Sequence, residues 1–434
     1  MTPIADGSGG LIRNAAALWV VQFFRKALPL ITIPYLARVL GPEGWGLVAM
    51  FQSLAACATL LIEFGFELGA TRRVARCRGS SHRMAELAGG VFGVQAGLGL
   101  AIASMVLVLS AWLPVLRDHP ALTLSCLVFA VAEGFNPSWY FIGTERMGTM
   151  AALEVCCKLA GAGAIFVFVR TAADGSHVLA IQACASVLSF AAALWIIREK
   201  VPLRLPSITL TREALRDAWP MFLIRGGECL YTMGNAFLLG FFAGPAVVGF
   251  FAGPEKIARG LAGLFNPVRQ ALYPRLSKLA VTSPVHAARL ARMGTAITCL
   301  GGLAGGIGVY WFAPLLIRIG FGPQFEPAVP VLRMLAVMLP LISITQSAVM
   351  QWLLPSGRER AVAVTVLLAG LLNVILILLM VPKSAQTGMA HAVIGAEGFV
   401  CAVLTTLAIT GSRRRPAPRA YSGSRGVPEA AVAR

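Results

Sequence analysis

Apolar residues run along this chain in blocks too long and too regular for the interior of a soluble domain. A helix rises 1.5 Å per residue, so about 20 apolar residues cross the hydrocarbon of a bilayer. Windows of that length place twelve spans at about 12–37, 45–68, 86–112, 121–141, 148–169, 178–197, 217–240, 246–269, 293–317, 329–353, 361–381 and 389–410. The polar punctuation is brief. Gly41-Pro42-Glu43-Gly44 forms a tight turn after the first span, and Arg72, Arg73, Arg76, Arg78 and Arg83 follow the second. The first run lacks a small-residue cleavage pattern and leads into a turn and another span, so it reads as a retained span and not a signal peptide. The segment Arg198–Asp217 sits where a linker between two halves would sit. The expected organisation is a six-helix unit at 1–200, a cytoplasmic linker at 201–217, a second six-helix unit at 218–411, and a disordered basic tail at 412–434.

Composition agrees with the pattern. Of 434 residues, 57% are hydrophobic and only 13% charged, against about 25% charged in soluble domains. The expected class is an all-α polytopic membrane protein. A net charge of +18 invites a nucleic-acid reading, but the placement of the charge argues otherwise. With the N-terminus taken as cytoplasmic, inward segments hold 24 Lys and Arg residues and outward connections hold 5 (Arg38, Arg117, Arg170, Arg318, Lys383). That asymmetry puts both termini in the cytoplasm and turns the basic residues toward anionic lipid heads.

Catalytic chemistry is poorly served. There is no G-x-x-x-x-G-K-[ST] and no H-E-x-x-H, the five histidines are scattered, and the nine cysteines lie mostly in apolar runs without metal spacing. Outward connections of about a dozen residues leave no room for an external catalytic domain. No enzyme activity and no cofactor are expected.

The two halves look related. Gly41-Pro42-x-x-x-Gly46 after span one matches Gly244-Pro245-x-x-x-Gly249 after span seven, and Gly143-x-Glu145-Arg146 after span four matches Gly357-x-Glu359-Arg360 after span ten. Both pairs join spans that run in the same direction, the signature of a parallel repeat about an axis along the membrane normal.

Charges inside the spans carry the candidate chemistry. Each costs about 2.5–3.5 kcal/mol at the bilayer centre, so each should face water or a partner. Eight bases lie within apolar runs: Arg25, Lys26, Lys158, Arg225, Lys256, Arg259, Arg269 and Arg333. Seven acids do too: Glu63, Glu67, Glu133, Glu154, Glu228, Glu255 and Glu397. Glu154 and Lys158, Arg225 and Glu228, and Glu255 and Arg259 have spacings that allow pairing on one helix face. Arg269 and Arg333 are placed to snorkel. Arg25 and Lys26 have no acid within four residues, and Glu255 points away from Lys256. These three cations are expected to line a water-filled cavity suited to an anion, phosphate above all. The competing expectation is an interhelix pair with Glu63 or Glu67, four residues apart on one face of span two. Embedded amides such as Gln52, Asn136, Asn235 and Asn373 could meet sugar hydroxyls or could only bridge helices. Prolines interrupt spans one, seven and eight, which places the working cavity there.

Several stretches resemble the bacterial polysaccharide biosynthesis (Wzx-type, O-antigen) flippases. They are Pro34–Gly46, Glu63-Phe64-Gly65, Ala70–Ala75, Ser138–Met147, and Val248–Ile257 with Ala271–Ser277. Glu63 stands where that family more often has Asp. The resemblance covers most of Leu11–Leu279, and the family shares a superfamily with the MATE drug exporters and lipid II flippases. It implies two six-helix lobes around a central cavity that opens alternately to each side of the bacterial inner membrane. It implies an undecaprenyl-diphosphate-linked oligosaccharide as substrate, moved from the cytoplasmic to the periplasmic leaflet with ion-gradient coupling, and polymerase or glycosyltransferase partners. On that reading Arg25, Lys26, Lys256, Arg225 and Arg259 hold the diphosphate and acidic sugars, and Glu63, with Glu67, is the candidate for ion coupling. The alternative within the superfamily is a MATE-type multidrug antiporter, whose cationic substrates would want an acidic cavity.

Overall fold

The computed structural model describes residues 7–413 except 78–79, 203–207, 267–268, 270–271, 273–274, 277 and 280–281. Side chains of residues 7–27, 68, 208–210, 217, 220, 224, 265, 284 and 411–413 also lie outside the description. The tail at 414–434, residues 203–207 of the linker, and the side chains of Arg25 and Lys26 therefore fall outside the described residues, while 208–217 of the linker are helical.

Among the described residues all regular structure is helical. The chain runs α1 (Gly7–Glu63), α2 (Phe66–Arg76), α3 (Ser81–Trp112), α4 (Pro114–Asp118), α5 (Pro120–Gly134), α6 (Ser138–Gly143), α7 (Met147–Phe168) and α8 (Gly175–Arg198). It continues through α9 (Ile208–Glu228), α10 (Asn235–Phe242), α11 (Pro245–Ala262), α12 (Pro284–Gly320), α13 (Val329–Leu335), α14 (Met338–Ser347) and α15 (Glu359–Arg413). Where its residues are described, each of the twelve expected spans falls mainly on helix, span four with a break at 135–137. Two pairs of spans are continuous through a break: α1 turns at Gly41 (φ 70°), and α15 turns at Ser384 and Ala385. Eight described helical stretches are long and apolar enough to cross a membrane. Spans seven and eight are helical where described without meeting that measure. A π-turn at Cys229–Met233 interrupts span seven, and Pro254 sits inside α11.

The outer surface fits a bilayer. Large apolar side chains such as Leu100, Leu300 and Ile307 are exposed along α3 and α12. Trp112 and Trp195, both strongly exposed, sit near helix ends, where indole rings favour the headgroup level. Helices α1, α5, α7 and α8 pack together as one lobe, and α11 to α15 as a second. The second arm of α1 belongs to both, because it also packs along α9 to α11.

The repeated Gly-Pro turns meet each other. A Cβ on Gly46 would overlap the carbonyl oxygen of Pro245, and one on Gly249 would overlap the carbonyl of Pro42. Each helix therefore presents its glycine to the first turn of the other, a reciprocal small-residue crossing that lets backbones touch. The sequence repeat is thus a contact between the halves. At the same end of the bundle Arg38 reaches the Ile319 carbonyl, and the Gln324 amide donates to the carbonyls of Ala37 (3.3 Å) and Arg38 (3.2 Å). The second motif pair is looser: its positive φ falls on Glu145 (60°) in one copy and on Gly357 (71°) in the other.

Candidate functional site

The two lobes meet along two seams. The first is the second arm of α1 against α9 and α10, and it is closed along its length. Gly240 packs on Met50, and Ser53 Oγ bonds the Met233 carbonyl and accepts from Phe237 N at 3.2 Å. The Cys229 thiol donates to Cys57 Sγ at 2.9 Å. At the arginine-rich end Phe64 stacks on Phe222 with centroids 4.2 Å apart, and a Cβ on Gly65 would lie 2.9 Å from Met221 Cβ.

An ionic cluster sits at that same end. Arg225 Nη1 is 2.6 Å from Glu63 Oε1 and 3.3 Å from Glu67 Oε2. The expected i,i+3 partner of Arg225 was Glu228, but its guanidinium crosses the seam instead. Glu63 and Glu67 also do not share one helical face. Phe64 (φ 49°) and Gly65 (φ 77°) break the helix between them, so Glu63 closes α1 and Glu67 opens α2. The break turns both carboxylates toward one guanidinium, and a non-glycine residue in the left-handed region stores strain there.

The second seam, the first arm of α1 against α11 and α12, leaves a cavity of about 280 Å³. Its walls are apolar (Pro29, Ile33, Pro34, Ile257, Leu316) apart from Lys256. Lys256 Nζ donates to Gln52 Oε1 at 2.9 Å and lies 4.8 Å from the centre of the Trp45 ring. Among the described residues it has no carboxylate partner. An ammonium has three donors and Gln52 takes one, so capacity remains for an anion.

Gln52 links this cation to a third feature. Its Nε2 donates to Gln182 Oε1 at 3.2 Å, and both amides line a cavity of about 370 Å³ inside the first lobe. Lys158 there is 2.7 Å from Glu154 Oε1, as the i,i+4 spacing predicts, and also 3.6 Å from Glu133 Oε1. Ser186 Oγ donates to Glu133 Oε2 at 2.9 Å. Sequence reasoning noted Glu133 as an embedded acid and gave it no role. The usable signal was an acid on span four with no base within four residues, which had to find its partner on another helix.

Arg259 occupies a separate network in the second lobe. Its Nε is 3.1 Å from Glu255 Oε1, which also accepts from Asn235 Nδ2 at 2.9 Å. Asn373 Nδ2 donates to Asn235 Oδ1 and to the Leu230 carbonyl, each at 3.0 Å. Arg269 does not snorkel: it is 2% exposed and bonds Asn266. Arg333 lies 5.6 Å from the Tyr310 ring centre.

The described helices form two lobes that meet along these seams, and known proteins share the arrangement. A family model described as polysaccharide biosynthesis protein matches residues 11–280. The chain belongs to that family. It is 29% identical over 403 residues to the protein named "Putative O-antigen transporter" of Escherichia coli (strain K12), covering 91% of this chain and 95% of that one. A protein of the same name from Shigella dysenteriae is 25% identical over 402 residues, covering 89% and 97%. Among solved structures, the fold resembles "Lipid II flippase MurJ, inward closed conformation" at a TM-score of 0.68 and 13% identity, covering 92% of this chain and 87% of that one. It also resembles an outward-facing multidrug resistance MATE family transporter of the MOP superfamily at a TM-score of 0.55 and 15% identity, covering 93% and 95%. This member of the polysaccharide biosynthesis family is therefore a multi-pass bacterial membrane transporter, and its fold is like that of those two solved structures.

Proposed function

We propose that the protein moves an undecaprenyl-diphosphate-linked oligosaccharide, an O-antigen or exopolysaccharide repeat unit, from the cytoplasmic to the periplasmic leaflet of the inner membrane by alternating access. Lys256 carries this reading: a cation with no carboxylate partner among the described residues lines an apolar cleft between the lobes and touches a polar cavity through Gln52. A lipid-linked diphosphate has the matching shape. Its tail lies in the cleft, its phosphates meet Lys256, and Arg25 and Lys26, on the arm of α1 leading to that cleft, add charge.

The loop charges put both termini in the cytoplasm, so the Arg225–Glu63–Glu67 cluster lies at the cytoplasmic end. It acts as a latch between residues 1–200 and 218–411, and the 201–217 linker permits rocking. Phosphate competing for Arg225, or protons neutralising Glu63 and Glu67, releases the latch, which is how an ion gradient would enter the cycle. Arg259 positions Glu255 and Asn235 and supports the wall behind Lys256. Polymerase or glycosyltransferase partners would meet the cytoplasmic connections.

The paired carboxylates Glu133 and Glu154 favour a second reading, a MATE-type exporter of cations, although Lys158 already offsets part of their charge. Cells carrying Arg25→Ala with Lys256→Ala separate the two. Under the flippase reading the lipid-linked precursor accumulates in the cytoplasmic leaflet and resistance to cationic drugs is unchanged. Normal translocation at normal protein levels would sink the assignment of these cations.

A further inference from the structure

We infer that a notch on the flank of the second lobe holds an anionic glycerophospholipid of the cytoplasmic leaflet, with one acyl chain in the notch and the phosphate on Arg292 and Arg358. The notch has a volume of about 290 Å³ and is lined by Thr295 of α12, Ile344 of α14, Ala348 and Trp352 of the π-turn that follows, and Thr405 and Ala408 of α15. All of these belong to the second lobe, so the site lies off the seams between the lobes and stands apart from the question of cargo.

The walls suit hydrocarbon. The Trp352 indole N–H donates to Thr295 Oγ1 at 3.1 Å, and that hydroxyl donates to Gln351 Oε1 at 2.6 Å. The polar atoms of this wall therefore satisfy one another, and the indole face and the methyl groups are left for a chain. Thr405 Oγ1 on the α15 wall has no hydrogen-bond partner among the described residues, which leaves a hydroxyl for a glycerol ester oxygen. Met293, Ile297 and Ile409 around the notch are exposed, so it opens sideways to the bilayer and fills from there.

The rim supplies the charge. Arg358, in the turn after the π-turn, donates from Nη1 to the Leu407 carbonyl at 3.2 Å, which holds it against α15 next to Ala408. Arg292 lies three residues before Thr295 on α12, on the same helix face, and its Nε donates to the Ala288 carbonyl at 3.3 Å. A guanidinium has five N–H donors, so both keep donors for a phosphate. Glu359 is exposed beside Arg358 and is offset by the exposed Arg360. Beyond Thr410 the sequence adds Arg413, Arg414 and Arg415, charges of the same sign. The loop charges place this end of the bundle in the cytoplasm, where basic pockets between helices bind anionic head groups. A zwitterionic lipid fits the same walls but brings its own ammonium to the arginines, so charge selects the anionic one.

The test uses full-length protein in phosphatidylcholine nanodiscs, with a trace of phosphatidylglycerol or phosphatidylethanolamine carrying a diazirine in one acyl chain. After illumination the labelled peptides are mapped by mass spectrometry. Each cation near the surface contributes about fivefold, so the peptides holding Ile344–Trp352 and Thr405–Ile409 should take up about 5- to 30-fold more of the phosphatidylglycerol probe. The groove of about 470 Å³ lined by Leu107, Leu124 and Val128 has no cation among its lining residues, and both probes should label it alike. Arg292→Gln, an exposed residue that bonds only its own helix, should lower the preference at the notch about fivefold. Adding Arg358→Gln should bring it within about twofold of unity, with labelling by the phosphatidylethanolamine probe unchanged, which reports that the notch keeps its shape. Ala408→Trp, which fills the notch and keeps every charge, should abolish labelling there by the phosphatidylglycerol probe. Equal labelling of the notch by the two probes in the wild type, or a full preference surviving Arg292→Gln with Arg358→Gln, overturns the site. Displacement of the phosphatidylglycerol probe by undecaprenyl phosphate more readily than by unlabelled phosphatidylglycerol overturns the occupant and gives the notch to a carrier lipid.

Discussion

Removing the guanidinium from the Arg225 latch should unlock the cytoplasmic end. Its contacts, 2.6 Å to Glu63 and 3.3 Å to Glu67, are half-buried and cross between lobes. Interhelix polar contacts in membranes average about 0.6 kcal/mol and reach about 1.7. The shorter, charge-assisted contact belongs near the upper value and the longer near the mean, so the pair contributes about 2 kcal/mol. That is a factor of about 30 in the ratio of latched to open molecules. Arg225→Gln leaves the Phe64–Phe222 stack in place and removes only the charge. The readout is the alkylation rate of Cys57 and Cys229 by a membrane-impermeant maleimide added from the cytoplasmic side, resolved by mass spectrometry. Both thiols sit deeper along the same seam, so their rate should rise about 30-fold in proportion to the open population, while Cys156, exposed on α7, should not change. Glu63→Gln alone should give a smaller rise, and the double variant should be no faster than Arg225→Gln, because the two groups act as one pair. A rate within twofold of wild type, or strict additivity, refutes the latch.

Oxidation by copper phenanthroline should join Cys57 to Cys229, so that protein cut at a protease site inserted at 203–207 stays one species on a non-reducing gel and stops translocating until thiol is added. Gly46→Ala and Gly249→Ala should each destabilise by about 1–3 kcal/mol, since a Cβ meets backbone at both positions, whereas Gly97→Ala, with open space around it, should be neutral in a thermal-shift assay. Arg259→Ala, which leaves Glu255 buried without its cation, should cost up to about 3–5 kcal/mol. Glu255→Gln with Arg259→Met, which removes both charges and keeps an acceptor for Asn235, should recover most of that loss.

Much of the architecture was legible because hydrophobic blocks and loop charges are local signals. The span positions follow from run length, and the Gly-Pro repeat pointed to related halves before its two copies were seen to touch. The contacts between halves were not legible. Local spacing paired Arg225 with Glu228, but the left-handed turn at Phe64-Gly65 swings Glu63 and Glu67 to it, and no periodicity announces a non-glycine residue at positive φ. Lys256 was picked out as a cation whose near acid points elsewhere, and Glu255 turns to Arg259 and Asn235, whereas the lysine's partners Gln52 and Trp45 lie some 200 residues away in sequence. Glu133 was noted as an embedded acid without a role for the same reason: its partners Lys158 and Ser186 come from two other helices. Arg269, near the end of a span, looked able to reach the interface, and packing buried it instead.

The central claim is that this chain carries a lipid-linked diphosphate across the bilayer on Lys256. The most direct measurement is transbilayer movement of a fluorescent undecaprenyl-diphosphate oligosaccharide in liposomes holding the purified protein, read by quenching from outside. Wild-type protein should make the inner-leaflet pool quenchable. Lys256→Ala, having lost charge-assisted bonds of about 1.5–3 kcal/mol, should slow this by about 10- to 100-fold. A folded wild-type protein that leaves the inner pool protected, or a Lys256→Ala variant as fast as wild type, contradicts the account.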